Sequence, residues 1–240
     1  MLTVNEIFYS VQGESTRAGE LCVFVRLTGC DLRCSWCDTP YSFYEGAKRS
    51  IDDVVGDVEK FGCSLIEITG GEPLLQEDVY PLMERFLALG RTVMLETGGH
   101  RSIARVPARV VKIVDVKCPA SGESAKNHWE NLDALAPHDE VKFVIQDRQD
   151  YEFALDVIAR YRLAGLAGLA PRCAAILFAP VHGVLDPKTL SEWMLADRAP
   201  ARVQVQLHKI IWTPETRGVC RDSSLERRSR LVYGRGYCAV

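Results

Sequence analysis

No apolar run in the sequence approaches the roughly 20 residues that a membrane-crossing helix requires, which removes an integral membrane role from the expectations. Neither sign of charge dominates. The formal net charge is -3 with acids and bases interspersed, so nothing global calls for nucleic acid or anionic lipid as a direct partner. The opening stretch, Met1 to Glu6, has neither the cationic start nor the apolar core of a secretion signal. A disulfide framework is also missing, because the nine cysteines are odd in number and three of them crowd into one short motif. A reducing, cytoplasmic setting is the expectation.

That motif is Cys30-Asp-Leu-Arg-Cys34-Ser-Trp-Cys37-Asp38-Thr39, spaced C-x3-C-x2-C straight after an apolar run that reads as a strand. Thiolates are soft ligands that suit iron–sulfur clusters, zinc or Cu(I). A cubane cluster ordinarily takes four cysteines. Three on one loop would hold three irons and leave the fourth open to bind and reduce a ligand. Zinc is the better rival, with a distant His or Cys closing a tetrahedron. Against it, no second C-x2-C or H-x3-H pair follows at a finger-like distance. Cys63, Cys118 and Cys173 stand among apolar or small residues and read as core fillers.

The 240 residues are enough for one large domain, expected over 1–219, followed by an arginine-rich extension at 220–240 without amphipathic period. Strands are expected at 2–9, 21–28, 65–69, 92–96, 110–116, 140–145, 174–179 and 202–207. Between them, helices are expected at 50–61, where Ser50 caps, at 81–89, 127–135 and 149–163, and at 187–196 with Pro187 in the first turn. This alternation implies βα units, an α/β fold with a mainly parallel sheet. The count of about six units is short of an eight-fold barrel and suits a partial (β/α)6-type barrel, open on one side. Polar and glycine-rich residues gather at the strand C-terminal ends, where such folds build their sites. Among them, Gly70-Gly71 permits positive φ and close backbone approach. Arg26 interrupts an apolar strand and needs a partner there. A structural ion pair, with Glu14 as the candidate, and an anion-binding role are both open. His100, His128 and His138 read as surface or loop residues.

The cysteine spacing resembles the signature of the radical S-adenosylmethionine (SAM) superfamily, and Thr69-Gly70-Gly71-Glu72-Pro73 resembles its SAM-holding turn. More narrowly, residues 3–219 resemble the 7-carboxy-7-deazaguanine synthase family. The resemblance is carried by Val11-Gln12-Gly13-Glu14, Phe24-Val25-Arg26-Leu27, Cys30 through Thr39, and Ile68 to Pro73. Glu96-Thr97-Gly98, Asp115 to Pro119 and Gln206-Leu207-His208-Lys209 extend it. It implies a lyase of 7-deazapurine (queuosine) biosynthesis, with a 4Fe–4S cluster, SAM and Mg2+ as cofactors. The cluster would cleave SAM to a 5′-deoxyadenosyl radical that takes the C6 hydrogen of 6-carboxy-5,6,7,8-tetrahydropterin. Ring contraction with loss of ammonia would give 7-carboxy-7-deazaguanine. The implied partners are the small pterin, an electron donor such as flavodoxin or ferredoxin, and a second copy in a homodimer.

By the same resemblance Cys30, Cys34 and Cys37 ligate the cluster and Thr39 the magnesium. Val11, Gln12, Gly13, Arg26 and Thr69 contact substrate. Trp36, Cys37, Asp38, Gly71, Glu72, Asp115, Val116 and Lys117 contact SAM, with Ala179, Pro180, Val181 and His182 aligning more loosely. Helix capping is the plain alternative for Thr39. Glu14 and His208 are added as substrate contacts because both lie beside matched motifs and a carboxylate suits the guanidine-like edge of a pterin; each serves equally well as a structural partner. The rivals are a glycyl-radical-activating enzyme and a cluster or zinc carrier without turnover.

Overall fold

The computed structural model describes residues 1–165, 170–213 and 216–218. Residues 220–240, expected as an extension, lie outside them. Nine strands form one sheet, in the order β3-β1-β2-β4-β5-β6-β7-β8-β9. From β2 onward all neighbours are parallel: β2 (Leu21–Leu27), β4 (Leu65–Gly70), β5 (Thr92–Thr97), β6 (Val111–Val116), β7 (Glu140–Ile145), β8 (Ala175–Pro180) and β9 (Arg202–Val203). At the first edge β1 (Leu2–Val11) and β3 (Ala47–Arg49) add antiparallel pairings. Six full parallel strands and unjoined edges make the partial barrel that the alternation implied.

Period-two alternation sorts the strand residues into two layers. Outward residues such as Val23, Val25, Ile66, Ile68, Val93, Leu95 and Val114 are buried under α1 (Ile51–Glu59) and α2 (Val79–Ala88). Val116, Val141, Phe143, Ile145, Ile176 and Phe178 form a second outer core with α4 (Arg148–Tyr161) and α5 (Pro187–Asp197). Inward, Phe8, Cys22, Phe24, Leu65, Met94 and Ile113 plug the barrel floor, with the Phe8 and Phe24 rings stacked at 4.8 Å. The next inward positions along the strands are polar. They begin the site.

Helix starts follow their local chemistry. Ser50 and Asp53 form a reciprocal capping box at α1, Asp147 caps α4, and Asp186 with Pro187 opens α5. Two sequence expectations are corrected. The helix expected at 127–135 shrinks to α3 (Glu130–Asp133), because both amide groups of Asn127 are spent on the Lys117 backbone and Pro137 discourages helix at its predecessor. The strand expected at 202–207 stops at Val203, and α6 (Leu207–Ile211) follows. The chain between β5 and β6 carries no helix at all. There the buried Asn131 side chain accepts from Ile103 N and donates to the Gly99 and Arg101 carbonyls.

Candidate active site

At the C-terminal ends of the strands lies a cavity of about 870 Å³, a size that accommodates small-molecule ligands. One wall is the loop after β2. Cys30, Cys34 and Cys37 all line it as free, half-buried thiols. Burial pushes the Cys30 and Cys34 thiols up. Among the described residues no three His, Cys, Asp or Glu side chains gather closely enough to hold a single ion. A cluster asks for one thiolate per iron, spread over a wider face, and a loop of three soft donors on a cavity wall fits that demand. The loop is well anchored: Arg33 N donates to Glu123 Oε1 at 2.6 Å and Ser35 Oγ to the Ala120 carbonyl at 2.8 Å.

Gly71 brings the next loop against this one. A Cβ there would stand 2.3 Å from the Gly29 carbonyl oxygen and 2.7 Å from Cys30 Cβ. Gly70 takes φ +152°, where only glycine is at ease. Glu72 does not face the cavity. Its carboxylate is fully buried and accepts from Leu74 N, Thr97 Oγ1 and Gly98 N. Val116, likewise, points its side chain into the outer core and not the cavity.

The floor and opposite wall are charged. Lys142, inward on β7, donates to Glu96 Oε1 at 2.8 Å and, closer still, to Glu14. Burial opposes the charge on Glu96, but the Lys142 ammonium and its hydrogen bond hold that carboxyl below the usual range. The carboxylates in turn raise the lysine well above its ordinary value against the cost of burial. Glu67 behaves oppositely. Burial, together with the negative Glu96 and Glu14 nearby, pushes it well above the carboxylate range. Gln12 ties these together, donating to Glu67 and accepting from Glu14 N at 3.1 Å. Its side chain is therefore committed within the protein. Glu14 also accepts from Gln204 and Gln206.

Arg26 finds its partner in Glu6, with Nε 2.9 Å from Oε1, correcting the expectation of Glu14. Tyr41 hydroxyl donates to the same Glu6 oxygen at 3.2 Å, and the guanidinium lies over the Phe8 and Tyr41 rings. Thr39 precedes a one-turn helix but makes no capping bond; its hydroxyl meets Cys37 Sγ at 3.9 Å. His208 packs over Gly13, where a Cβ would fall 2.1 Å from the imidazole Nδ1, and burial pushes the imidazole pKa down.

The structure thus brings Val11, Gln12, Gly13, Glu14, Arg26, Thr69 and His208 to one cavity with Trp36, Cys37, Asp38, Thr39 and Gly71. Asp115, Lys117 and Ala179–His182 complete its rim. Sequence reasoning missed Glu67 and Lys142 and gave Glu96, part of a quoted motif, no role, although each occupies an inward position two residues from another polar or core position of known parity. His100 lies on a loop as expected, but its imidazole is buried, 5 % exposed, beside Asp31 of the cysteine loop.

The radical SAM superfamily profile matches residues 24–179. A 7-carboxy-7-deazaguanine synthase of Koribacter versatilis is 49 % identical over 232 residues, covering 91 % of this chain and 100 % of that protein. The protein of the same name from Chlorobaculum tepidum is 43 % identical over 222 residues, covering 91 % and 97 %. Among solved structures, QueE from Escherichia coli superimposes with a TM-score of 0.63 at 22 % identity, over 86 % of this chain and 94 % of that one, a likeness of fold.

Proposed function

The chain belongs to the 7-carboxy-7-deazaguanine synthase family of the radical SAM superfamily, and from that premise we propose that it contracts 6-carboxy-5,6,7,8-tetrahydropterin to 7-carboxy-7-deazaguanine with loss of ammonia. Membership implies a 4Fe–4S cluster and SAM; the Mg2+ ion is part of the proposal. The observation that carries the reading is a single cavity with three thiols on one wall and fixed charges of both signs on the other. When bound, the cluster and SAM supply the radical that removes the C6 hydrogen.

The chain's own residues bind, orient and shield. Cys30, Cys34 and Cys37 would hold three irons. Gly71 lets the neighbouring turn approach that loop, and Asp115, Lys117 and 179–182 offer polar and backbone groups to SAM. Arg26, pre-set by Glu6 and Tyr41, has guanidinium N–H groups left for the pterin carboxylate. Thr39 has a hydroxyl uncommitted to capping, a hard oxygen donor suited to Mg2+. Glu14 and Glu96, both paired to Lys142, present acceptors to the N–H edge of the pyrimidine ring. Glu67, whose affinity for a proton is raised by burial and by Glu96 and Glu14, sits with the Lys142 ammonium at the floor. Reduction by a flavodoxin or ferredoxin, a homodimeric assembly and a cytoplasmic setting belong to the same proposal; among the described residues no helix is long and apolar enough to cross a membrane.

The test is anaerobic. The reconstituted protein is given dithionite, SAM, Mg2+ and the pterin, and products are followed by mass spectrometry. The proposal expects 7-carboxy-7-deazaguanine from the parent and none from Cys34→Ala. Accumulation of 5′-deoxyadenosine with the pterin untouched would keep the radical chemistry and discard this substrate.

A further inference from the structure

His100 takes no part in the mechanism above, yet it joins three of the loops that build the site. It follows Gly98-Gly99 at the end of β5, where Gly99 adopts φ +74° and packs against the Asp115 carbonyl. The imidazole then folds inward between two carboxylates. Its Nε2 lies 2.6 Å from Asp31 Oδ1, and its Nδ1 lies 3.6 Å from Glu72 Oε2. Asp31 is the residue after Cys30, and Glu72 is the residue after Gly71. One buried ring therefore spans the gap between the cysteine loop and the turn packed on it.

The energetics favour a purpose for this ring. A carboxylate only accepts, so the hydrogen in the Asp31 contact belongs to His100 Nε2. Asp31 also meets Arg101, but that pair is exposed on both sides, at 45 % and 40 %, and surface pairs fix little. The imidazole bond is the one shielded on its donor side. Meanwhile Nδ1 is buried without a hydrogen-bond partner. An unpaired buried polar atom costs about 1–3 kcal/mol, a cost an apolar side chain of similar shape would avoid.

We propose that His100 is a positioning residue for the iron–sulfur cluster: by donating from Nε2 to Asp31 it fixes the Cys30 arm of the cysteine loop against the Gly70–Glu72 turn. The inference rests on the cluster reading of Cys30, Cys34 and Cys37. It goes beyond that reading in giving a role to a side chain that touches neither cluster nor substrate.

Three variants separate this from a general packing role. In His100→Gln the amide nitrogen reaches the place of Nε2; in His100→Asn it reaches only the place of Nδ1; His100→Leu keeps bulk alone. Backbone amide exchange at residues 31–34 is read first in the iron-free chain. Iron and sulfide retained under chelator challenge are then read after anaerobic reconstitution. The expectation is that the Asn and Leu variants speed exchange at 31–34 and lose the cluster about 10-fold faster or more, the scale seen when an outer-shell partner of a metal ligand is removed. The Gln variant should stay close to the parent on both. Asp31→Ala should match the Leu variant, and the double variant should add nothing to either. Equal behaviour of the Gln and Asn variants, or parental iron retention in all of them, would overturn the proposal. If the Leu variant fails to fold, the comparison of Gln with Asn still decides. If the parent takes up no iron, the cluster reading fails on its own, and the exchange data still decide whether His100 holds the loop.

Discussion

Lys142 donates to two carboxylates from a side chain that is 8 % exposed, so replacing it leaves Glu14 and Glu96 facing each other uncompensated. Removing one partner of a buried pair costs about 3–5 kcal/mol; here, with a water-accessible cavity beside it, Lys142→Met should cost about 2–3 kcal/mol in urea denaturation. A cost near zero would mean that the carboxylates relax into the cavity. Glu67 supports a prediction with a pH sign. Its carboxyl is held well above the usual 4.5 by burial and by Glu96 and Glu14. The folded chain therefore keeps a proton that the unfolded chain gives up above about pH 4.5, so the stability this group contributes is present below that pH and lost as pH rises towards the folded value. Glu67→Gln removes the dependence. Urea melts at pH 5 and pH 8 should show the variant gaining on the parent at the higher pH; parallel shifts would place the ionised form in the fold. These residues also show what was legible. The three cysteines and Gly71 announce themselves by spacing, whereas Glu96 and Lys142 are single charges in apolar strands whose meaning depends on facing one another across β6. The burial of the His100 side chain is illegible for a related reason. Nothing local marks a histidine after a Gly-Gly turn as buried until Asp31 is seen to lie beside it.

At the scale of elements, the strands of the parallel sheet were readable because runs such as Val-Phe-Val and Leu-Ile-Glu-Ile are bounded by glycine and polar residues. The failures fell where side chains replace backbone pairing. Val203 and Val205 alternate as a strand should, but the Gln204 side chain between them serves the site, accepting from Ser15 N at 2.6 Å and donating to Glu14 at 3.0 Å, while its backbone N still donates to the Phe178 carbonyl at 2.9 Å. β3 is three residues long, too short for any period to register. The helix-free crossover from β5 to β6 has the same character. Asn131, 1 % exposed, satisfies one N–H and two carbonyls of a segment that has no ladder of its own. Asn131→Ala strands the Ile103 N–H and the Arg101 carbonyl, while the Gly99 carbonyl keeps its bond from His128 N at 3.1 Å. At about 1 kcal/mol or more for each group left unpaired, the variant should lose about 2 kcal/mol. Amide exchange should rise first around residues 99–104, which include Ile103; a change spread evenly over the chain would contradict the local role.

The described residues form one sheet with two outer cores. Val114 on β6 belongs to the first and Val116, two residues on, to the second; Leu135 packs against both. The site needs each half, since the cysteine loop, Arg26 and Thr69–Gly71 come from the first and Lys142 and 179–182 from the second. Asp115 and Lys117 sit on the boundary strand and its exit. The crossover before β6 lacks a helix and sends Ile103, Val106 and Val110 into the first core alone, so continuity with the second rests on Leu135 and on the pairing of β5, β6 and β7. Phe178 probes this division. Fully buried, it packs edge-on to Phe143 and Tyr151 at 5.7 Å in the second core. Phe178→Ala should cost about 3–5 kcal/mol through lost burial and the cavity left behind. In native-state hydrogen exchange, that loss should appear in β7, β8, α4 and α5, while β2, β4, α1 and α2 keep most of their protection, as expected when cooperative units follow supersecondary motifs. Equal losses in both halves would mean that the continuous sheet, and not the outer cores, sets the unit that opens.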